Sequence, residues 1–123
     1  MVLLDTNILI EYYKGNRTIK QKLEDIGLSS LGVSSISSME LFYGARNKTE
    51  LNRLKASLES LSLFHVTVAI SMKALQLVEV YAKSHTLQIP DALIAATAIE
   101  NNVQLFTLNV KDFQFIPEIE LYA

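Results

Sequence analysis

The sequence predicts an α/β fold in which helices cover both faces of a mostly parallel sheet. Short apolar segments of strand type alternate along the chain with longer segments whose apolar residues recur at helical spacing, and this alternation is typical of parallel sheets. Half of the 123 residues are apolar, which suits one core. No repeat or low-complexity linker divides the chain. We therefore expect residues 1–123 to form a single domain.

The first half of the chain predicts two strands and four helices. A short, continuous apolar run indicates a buried strand, as at Val2 to Leu4 and near Gly32 to Ser35, whereas apolar residues three or four apart indicate a helix. Gly15 and Gly27 are expected to end two of the helices. The helices are expected at Thr6 to Tyr13, at Thr18 to Ile26, at Ile36 to Ala45, and along the stripe Leu51, Leu54, Leu58 and Leu61. Asp5 therefore lies where a strand becomes a helix.

The second half of the chain predicts two strands, two helices and a weak last strand. Phe64 to Val68 alternates between apolar and polar residues like a strand. A helical pattern follows through Ile70, Ala74, Leu77, Val78 and Tyr81. Pro90 opens a helix at Asp91 to Glu100. Gln104 to Thr107 is a further strand, and the weak one lies near Glu120 to Tyr122.

Composition narrows the classes of function. Thirteen acidic and eleven basic residues give a net charge of −2, so a nucleic acid would need local basic clusters or bound metal rather than an overall positive field. The absence of cysteine excludes disulfides, zinc–thiolate sites and thiol nucleophiles. No apolar run reaches the roughly 20 residues of a membrane span, and the opening segment is too short for a signal peptide. We expect a cytoplasmic protein.

Three carboxylates have positions that suggest chemistry, and each also has an ordinary explanation. Asp5 follows the first strand, Glu40 lies within an apolar helix, and Asp91 begins another helix. Asp5 can cap a helix, and Ser37 with Glu40 matches the Ser-x-x-Glu capping box. Asp91 can complement the helix dipole in a first turn. Taken singly, these residues leave the structural and the functional explanations open.

Taken together, the three acids favour a metal site. Ligands of open parallel sheets bind outside the carboxyl ends of the strands, where Asp5 is expected, and two carboxylates about 4 Å apart repel by roughly 4 kcal/mol at an effective dielectric near 20. Mg²⁺ or Mn²⁺ would offset that repulsion, because both prefer oxygen ligands. Such an ion can activate water for attack on a phosphodiester, so the chain needs no nucleophile of its own.

Three segments of the chain resemble the acidic motifs of the PIN-domain family. Met1 to Ile10 resembles the opening motif, Ser37 to Gly44 the second motif, and Ile89 to Ala98 the third. Their order and spacing match across nearly the whole chain. The resemblance is to the toxin ribonucleases of VapBC toxin–antitoxin pairs within that family.

The resemblance implies a PIN-like three-layer α/β/α sandwich with a sheet of about five strands. It implies an endoribonuclease that depends on Mg²⁺ or Mn²⁺, and it makes Asp5, Glu40 and Asp91 the catalytic and metal-binding acids. Hydrogen bonds that orient these acids are expected from Thr6, Asn7, Ser37, Thr107 and Asn109. The implied partners are an RNA substrate, a VapB-like antitoxin protein and a second copy of the chain.

The fourth acidic position departs from the family pattern. Many relatives carry an aspartate two residues after the threonine that ends the fourth strand, but here Asn109 follows Thr107 at that distance. Asp112 comes three residues later. It is a candidate catalytic residue that binds metal through water, or a residue that only caps a turn, and the sequence leaves both open.

Histidine, basic and aromatic residues outside the acidic motifs have weaker functional interpretations. His65 lies in a strand pattern and His85 beyond a helix end, and we expect structural roles for both. Lys14 and Arg46 stand in basic clusters that follow the acidic helices, so they are candidates for RNA binding or for a solvated surface. An aromatic stripe is a candidate antitoxin contact and consists of Tyr12, Tyr13, Phe42 and Tyr43.

Two alternatives compete with the metal-dependent ribonuclease. The first is a PIN-like interaction module without catalysis, for which Asn109 is the only feature of the sequence in favour. The second is a phosphoryl-transfer protein with aspartates at strand ends. Asp5-Thr6-Asn7 lacks the second aspartate of the Asp-x-Asp phosphatase motif, and we expect no aspartate at the end of a central strand to serve as the phosphoacceptor of a receiver domain.

Overall fold

The computed structural model describes all 123 residues and contains four strands and six helices. None of the helices combines the length and apolar character that a membrane crossing requires. The strands are β1 (Val2–Leu4), β2 (Leu31–Ser34), β3 (Ser62–Phe64) and β4 (Gln104–Phe106). The helices are α1 (Thr6–Tyr13), α2 (Arg17–Ile26), α3 (Ser35–Tyr43), α4 (Lys48–Leu58), α5 (Val68–His85) and α6 (Ile89–Glu100), and short 3-10 turns lie at Leu28–Ser30 and Val110–Asp112.

The four strands form one parallel sheet in the order β3-β2-β1-β4. The expected fifth strand is reduced to a single bridge, at which Leu121 pairs with Leu105 of β4. Leu105 N–H donates to the carbonyl of Glu120, and Tyr122 N–H donates to the carbonyl of Leu105, both at 2.8 Å. Because all strands are parallel, their carboxyl ends lie along one edge of the sheet, and the loops that follow β1 and β4 are neighbours there.

The two faces of the sheet bury separate apolar clusters, which confirms the three-layer α/β/α sandwich. Leu3 belongs to the cluster formed with α5 and α6, whereas Val2 and Leu4 belong to the cluster formed with α1, α2 and α4. Successive side chains of a strand point to opposite faces, so one three-residue strand contributes to both layers. Four alanines of α6 are almost completely buried against α5 and the sheet, namely Ala92, Ala95, Ala96 and Ala98.

The predicted strand at Phe64 to Val68 was placed too late in the chain. The strand is Ser62–Phe64, and α5 already begins at Val68. Thr67 is the N-cap residue of this helix, and its Oγ1 accepts a hydrogen bond of 3.1 Å from Ile70 N–H. The alternation of apolar and polar residues therefore continues beyond the strand, through a loop and a helix cap. Alternation alone does not distinguish such a segment from a strand.

Candidate active site

Asp5 is anchored at the carboxyl end of the central strand β1. It is the N-cap residue of α1, its N–H donates to the carbonyl of Phe106 in β4 at 2.9 Å, and its side chain is only 5% exposed. Oδ1 accepts a hydrogen bond of 2.8 Å from Thr6 N–H. Asp5 therefore caps α1 and also belongs to the site. Burial raises the pKa of Asp5, although hydrogen bonds from Thr107 and Thr6 act in the opposite direction.

Thr107 supports the second oxygen of Asp5. Its hydroxyl donates to Asp5 Oδ2 at 2.7 Å and accepts from Asn109 N–H at 3.0 Å and from Asn7 Nδ2 at 3.5 Å. Asn7 Oδ1 also accepts from Leu108 N–H at 3.3 Å. The Thr107 hydroxyl and the Asn7 side-chain amide thus connect the loop after β4 to the start of α1. These hydrogen bonds fix the orientation of Asp5.

Glu40 is joined to the same site through Thr6. Thr6 Oγ1 donates to Glu40 Oε1 at 2.6 Å and lies 2.9 Å from Ser37 Oγ, so the start of α1 and the middle of α3 are connected. The capping-box explanation of Glu40 is wrong, because α3 begins at Ser35 and its N-cap is Ser34, whose Oγ accepts from Ser37 N–H. Glu40 lies in the second turn, exposed at the mouth of the site.

Asp91 lies in the first turn of α6 and completes the acidic group. It is half-buried, and burial together with the charges of Asp5, Asp112 and Glu40 raises the pKa of Asp91 to about 6. No hydrogen bond offsets these effects. Asp5, Glu40 and Asp91, which are distant in sequence, therefore converge at one edge of the sheet closely enough to influence each other.

Asp112, rather than Asn109, faces the acidic group. Asp112 lines a cavity together with Asp91, and its charge raises the pKa of both Asp91 and Asp5. Asn109 contributes to the site through its backbone N–H, which donates to Thr107. The 3-10 turn Val110–Asp112 makes this possible, because it returns the chain toward α6 directly after Asn109.

The four carboxylates fit a divalent ion that keeps much of its water. No three acidic or histidine side chains lie close enough together to enclose a metal ion as they stand. Mg²⁺, however, is usually held by one or two carboxylates and several waters, and the donors here are oxygens of Asp5, Glu40, Asp91 and Asp112. Burial and, after it, the three neighbouring acids raise the pKa of Asp91, and a cation would offset the repulsion among these charges.

A basic cleft opens beside Glu40. This cleft of about 920 Å³ is lined by Lys14, Arg46 and Arg53 together with Glu40 and Glu50. Arg46 is held in place because its Nε donates to Glu50 at 2.9 Å, and Lys14 forms an ion pair of 3.5 Å with Glu11. The two cations singled out from the sequence thus lie on a surface continuous with the acidic group.

The four aromatic residues of the predicted stripe do not share one surface. Tyr12 and Tyr13 line an apolar groove of about 320 Å³ between α1, α2 and the end of α4. Phe42 lies in a different cleft, and Tyr43 is 95% exposed. Only the two tyrosines of α1 therefore remain candidates for a shared protein contact.

His85 lies next to the acidic group, a position that the sequence did not predict. It is the last residue of α5 rather than lying beyond the helix, and it lines the same cavity as Asp91 and Asp112. His65 lies in the loop between β3 and α5 and is exposed. The only available signal was the short distance in sequence between His85 and the Ile-Pro-Asp segment that starts α6.

Replacing Thr107 by valine is expected to reduce whatever activity depends on Asp5 by about 10- to 100-fold, as loss of a hydrogen bond to a ligand typically does. The valine keeps the shape of threonine but removes the donor to Asp5 and leaves that carboxylate less well ordered. Thr107→Ser is the matched control, because it retains the hydroxyl. Equal activity of Thr107→Val and the wild type would show that the hydroxyl does not position Asp5.

Comparison with known proteins gives one consistent result. A sequence model of the PIN domain family matches residues 2–117. The chain is 32% identical over 124 residues to Ribonuclease VapC10 of Mycobacterium tuberculosis, covering 98% of this chain and 91% of that protein. Its fold is similar to that in a toxin-antitoxin complex from Klebsiella pneumoniae, with a TM-score of 0.82, 33% identity, and 97% and 95% of the two chains covered. VapBC2 from Rickettsia felis, solved bound to a DNA fragment from their promoter, matches with a TM-score of 0.86, 27% identity, and 99% and 98% covered.

Proposed function

This chain belongs to the PIN domain family, and from that premise we propose that it is an endoribonuclease and the toxin of a toxin–antitoxin pair. The observation that carries the proposal is the convergence of Asp5, Glu40 and Asp91 at one edge of the sheet, where burial together with the charges of the neighbouring acids raises the pKa of Asp91 to about 6. The relative named Ribonuclease VapC10, alignable over 98% of this chain, supports RNA as the substrate.

The cofactor in this proposal is Mg²⁺ or Mn²⁺, held by Asp5, Asp91 and Glu40, with Asp112 at the rim. When bound, such an ion activates water and stabilises negative charge on the phosphate. Thr107 and Thr6 N–H hold the two oxygens of Asp5 in fixed directions. Thr6 occupies Oε1 of Glu40, which leaves Oε2 at the mouth of the site free to bind the ion.

The test of this function is incubation of the purified protein with total RNA in Mg²⁺, in Mn²⁺, and in excess chelator. We expect cleavage with either ion and none with chelator, and we expect both ions to raise the melting temperature of the wild type but not of Asp91→Asn. The thermal measurement reports binding without reference to activity.

A PIN-like module without catalysis is the second candidate. It is favoured by Asn109, which replaces an acid in the usual family pattern, and by the absence of an enclosed group of three metal ligands. Under this alternative, both ions would leave the melting temperature unchanged, and RNA would remain intact in every condition.

The proposed antitoxin is a VapB-like protein that covers the apolar groove beside Tyr12 and Tyr13. Most of the residues that line this groove are hydrophobic, and Leu28 at its rim is 57% exposed. A helix or extended segment with apolar anchors suits such a groove. The measurement is co-purification of a co-expressed VapB-like protein with the wild type, and its loss when Leu28 is changed to arginine.

A homodimer through α5 is proposed as the free form. Val68, Met72 and Leu75 recur at helical spacing and are 79%, 67% and 66% exposed, which leaves an apolar helix face without a partner. Met72→Glu is expected to convert the dimer to a monomer in light scattering, because two buried charges would face each other across a twofold axis. Asn52→Glu on α4 is the control for added charge, and an unchanged mass of Met72→Glu would exclude this interface.

A further inference from the structure

The cavity next to Asp91 contains a histidine to which the proposed hydrolysis assigns no role. This cavity of about 240 Å³ is lined only by polar residues, namely His85, Thr86, Gln88, Asp91 and Asp112. Two of them are acids of the proposed active site, and a phosphate entering the cavity would be repelled by both. Hydrogen-bond donors must therefore be present if the cavity receives part of a nucleic acid, and His85 is one side chain of the lining that can donate.

The ring of His85 is held on two sides. Its Nδ1 lies 2.8 Å from Ser84 Oγ, and one face stacks on Phe115 with a centroid distance of 4.2 Å and an interplanar angle of 18°. Ser84 Oγ is also 3.4 Å from the carbonyl of Val80. Ser84 therefore occupies the Nδ1 edge of the ring, and Nε2 forms no hydrogen bond within the protein. Nε2 is then the ring nitrogen available to a ligand.

The backbone after His85 adopts a conformation that a β-branched residue rarely accepts. Thr86 is left-handed, with φ 56 and ψ 37, and Leu87 N–H donates to the carbonyl of Tyr81 at 3.4 Å to close the turn. Glycine or asparagine is the usual residue in this position. Strained residues of this kind cluster at functional sites, and here the turn brings α6 back so that Asp91 and His85 share one cavity.

We propose that Nε2–H of His85 donates to a backbone phosphate of the bound RNA other than the phosphate that is cut. The inference rests on the proposed function, and it makes His85 a substrate-binding residue. A contact to a phosphate outside the reacting bond is made equally in the ground and transition states, so it lowers KM and leaves kcat unchanged. Such contacts position the strand without reading its sequence.

Kinetic analysis of His85 variants with a fluorescent single-stranded RNA is the first test. We expect His85→Ala to raise KM about 10-fold, as loss of a hydrogen bond to a charged group does, with kcat unchanged. His85→Phe retains the stack on Phe115 but lacks Nε2, and it should behave like His85→Ala. His85→Gln offers an amide donor and should stay within about 3-fold of the wild type. His65→Ala is the matched control and should have no effect.

Nitrogen NMR spectra of the histidine rings are the second test, because the chain has only two histidines and His65→Ala assigns their signals. Adding the same RNA to Asp5→Asn, which is expected not to cleave it, should shift the Nε2 signal of His85. An unchanged KM in His85→Ala, a fall in kcat alone, or an unshifted signal on RNA binding would overturn the role of His85 while leaving the ribonuclease proposal intact. A wild type that neither binds nor cleaves RNA would overturn both.

Discussion

Changing Asp5 or Asp91 to asparagine is expected to reduce RNA cleavage by at least about 100-fold. Each change keeps the size of the side chain but removes one negative charge from the proposed ligands of a divalent ion, whose contribution to transition-state stabilisation amounts to several kcal/mol. Asp5 accepts hydrogen bonds from Thr107 and Thr6, so its replacement also disturbs these two contacts. The measurement is the initial rate of cleavage of a labelled RNA at saturating Mg²⁺.

The matched control is Asp25→Asn, because Asp25 is an exposed acid on α2 that only accepts a hydrogen bond from Gln21. Its activity should equal that of the wild type. If Asp5→Asn and Asp91→Asn retained more than about a tenth of the wild-type rate, the acidic group would not be the catalytic centre.

Without a divalent ion at neutral pH, the Asp91→Asn protein is expected to be more stable than the wild type, by about 2 kcal/mol. The pKa of Asp91 is about 6 in the folded protein and near 3.8 for a free carboxyl. Each tenfold change in proton affinity corresponds to about 1.4 kcal/mol, and the figure of about 2 kcal/mol includes a discount for the partial exposure of Asp91 to solvent.

The sign of this effect follows from proton binding. Between pH 4 and 6 the folded state holds a proton on Asp91 that the unfolded state has already lost, so the stability of the wild type falls as the pH rises through this window. Asparagine has no such titration. The free energies of unfolding of the two proteins should therefore be similar below pH 4, and the full difference of about 2 kcal/mol should be present above pH 6.

Urea unfolding in chelator at several pH values measures this difference. Glu100→Gln, at the opposite end of α6 and exposed, is the control and should follow the wild type. A less stable Asp91→Asn at pH 8 would mean that Asp91 makes favourable interactions in the folded protein that outweigh its burial among like charges.

The sequence was sufficient for the fold class, because the periodicity of apolar residues is a local property of the chain. Apolar runs and helical spacing predicted every helix and three of the four strands close to their observed positions. β3 was misplaced because the cap at Thr67 depends on a hydrogen bond to Ile70 rather than on a pattern of apolar residues.

The functions of single polar residues were less predictable. Ser37-x-x-Glu40 matched a capping box, yet the helix starts earlier and Glu40 is bound by Thr6, which lies 34 residues away. Likewise the spacing of Asn109 and Asp112 left the fourth acidic position open. In the structure a 3-10 turn brings Asp112 to Asp91.

By itself, the sequence determined the positions of the helices and of three of the four strands, and it placed Asp5 after a strand and Asp91 at the start of a helix, because these features depend on neighbours along the chain. Only the tertiary structure decided that Thr107 orients Asp5, that Thr6 connects α1 to Glu40, and that His85 shares a cavity with Asp91 and Asp112. The contacts of Asp5 and Glu40 depend on the order of strands in the sheet. The position of His85 next to Asp91 depends on the left-handed turn at Thr86, which connects α5 to α6. Hydrogen bonds and charge interactions act over a few ångströms in space, and distance along the chain does not reveal which residues come within that range.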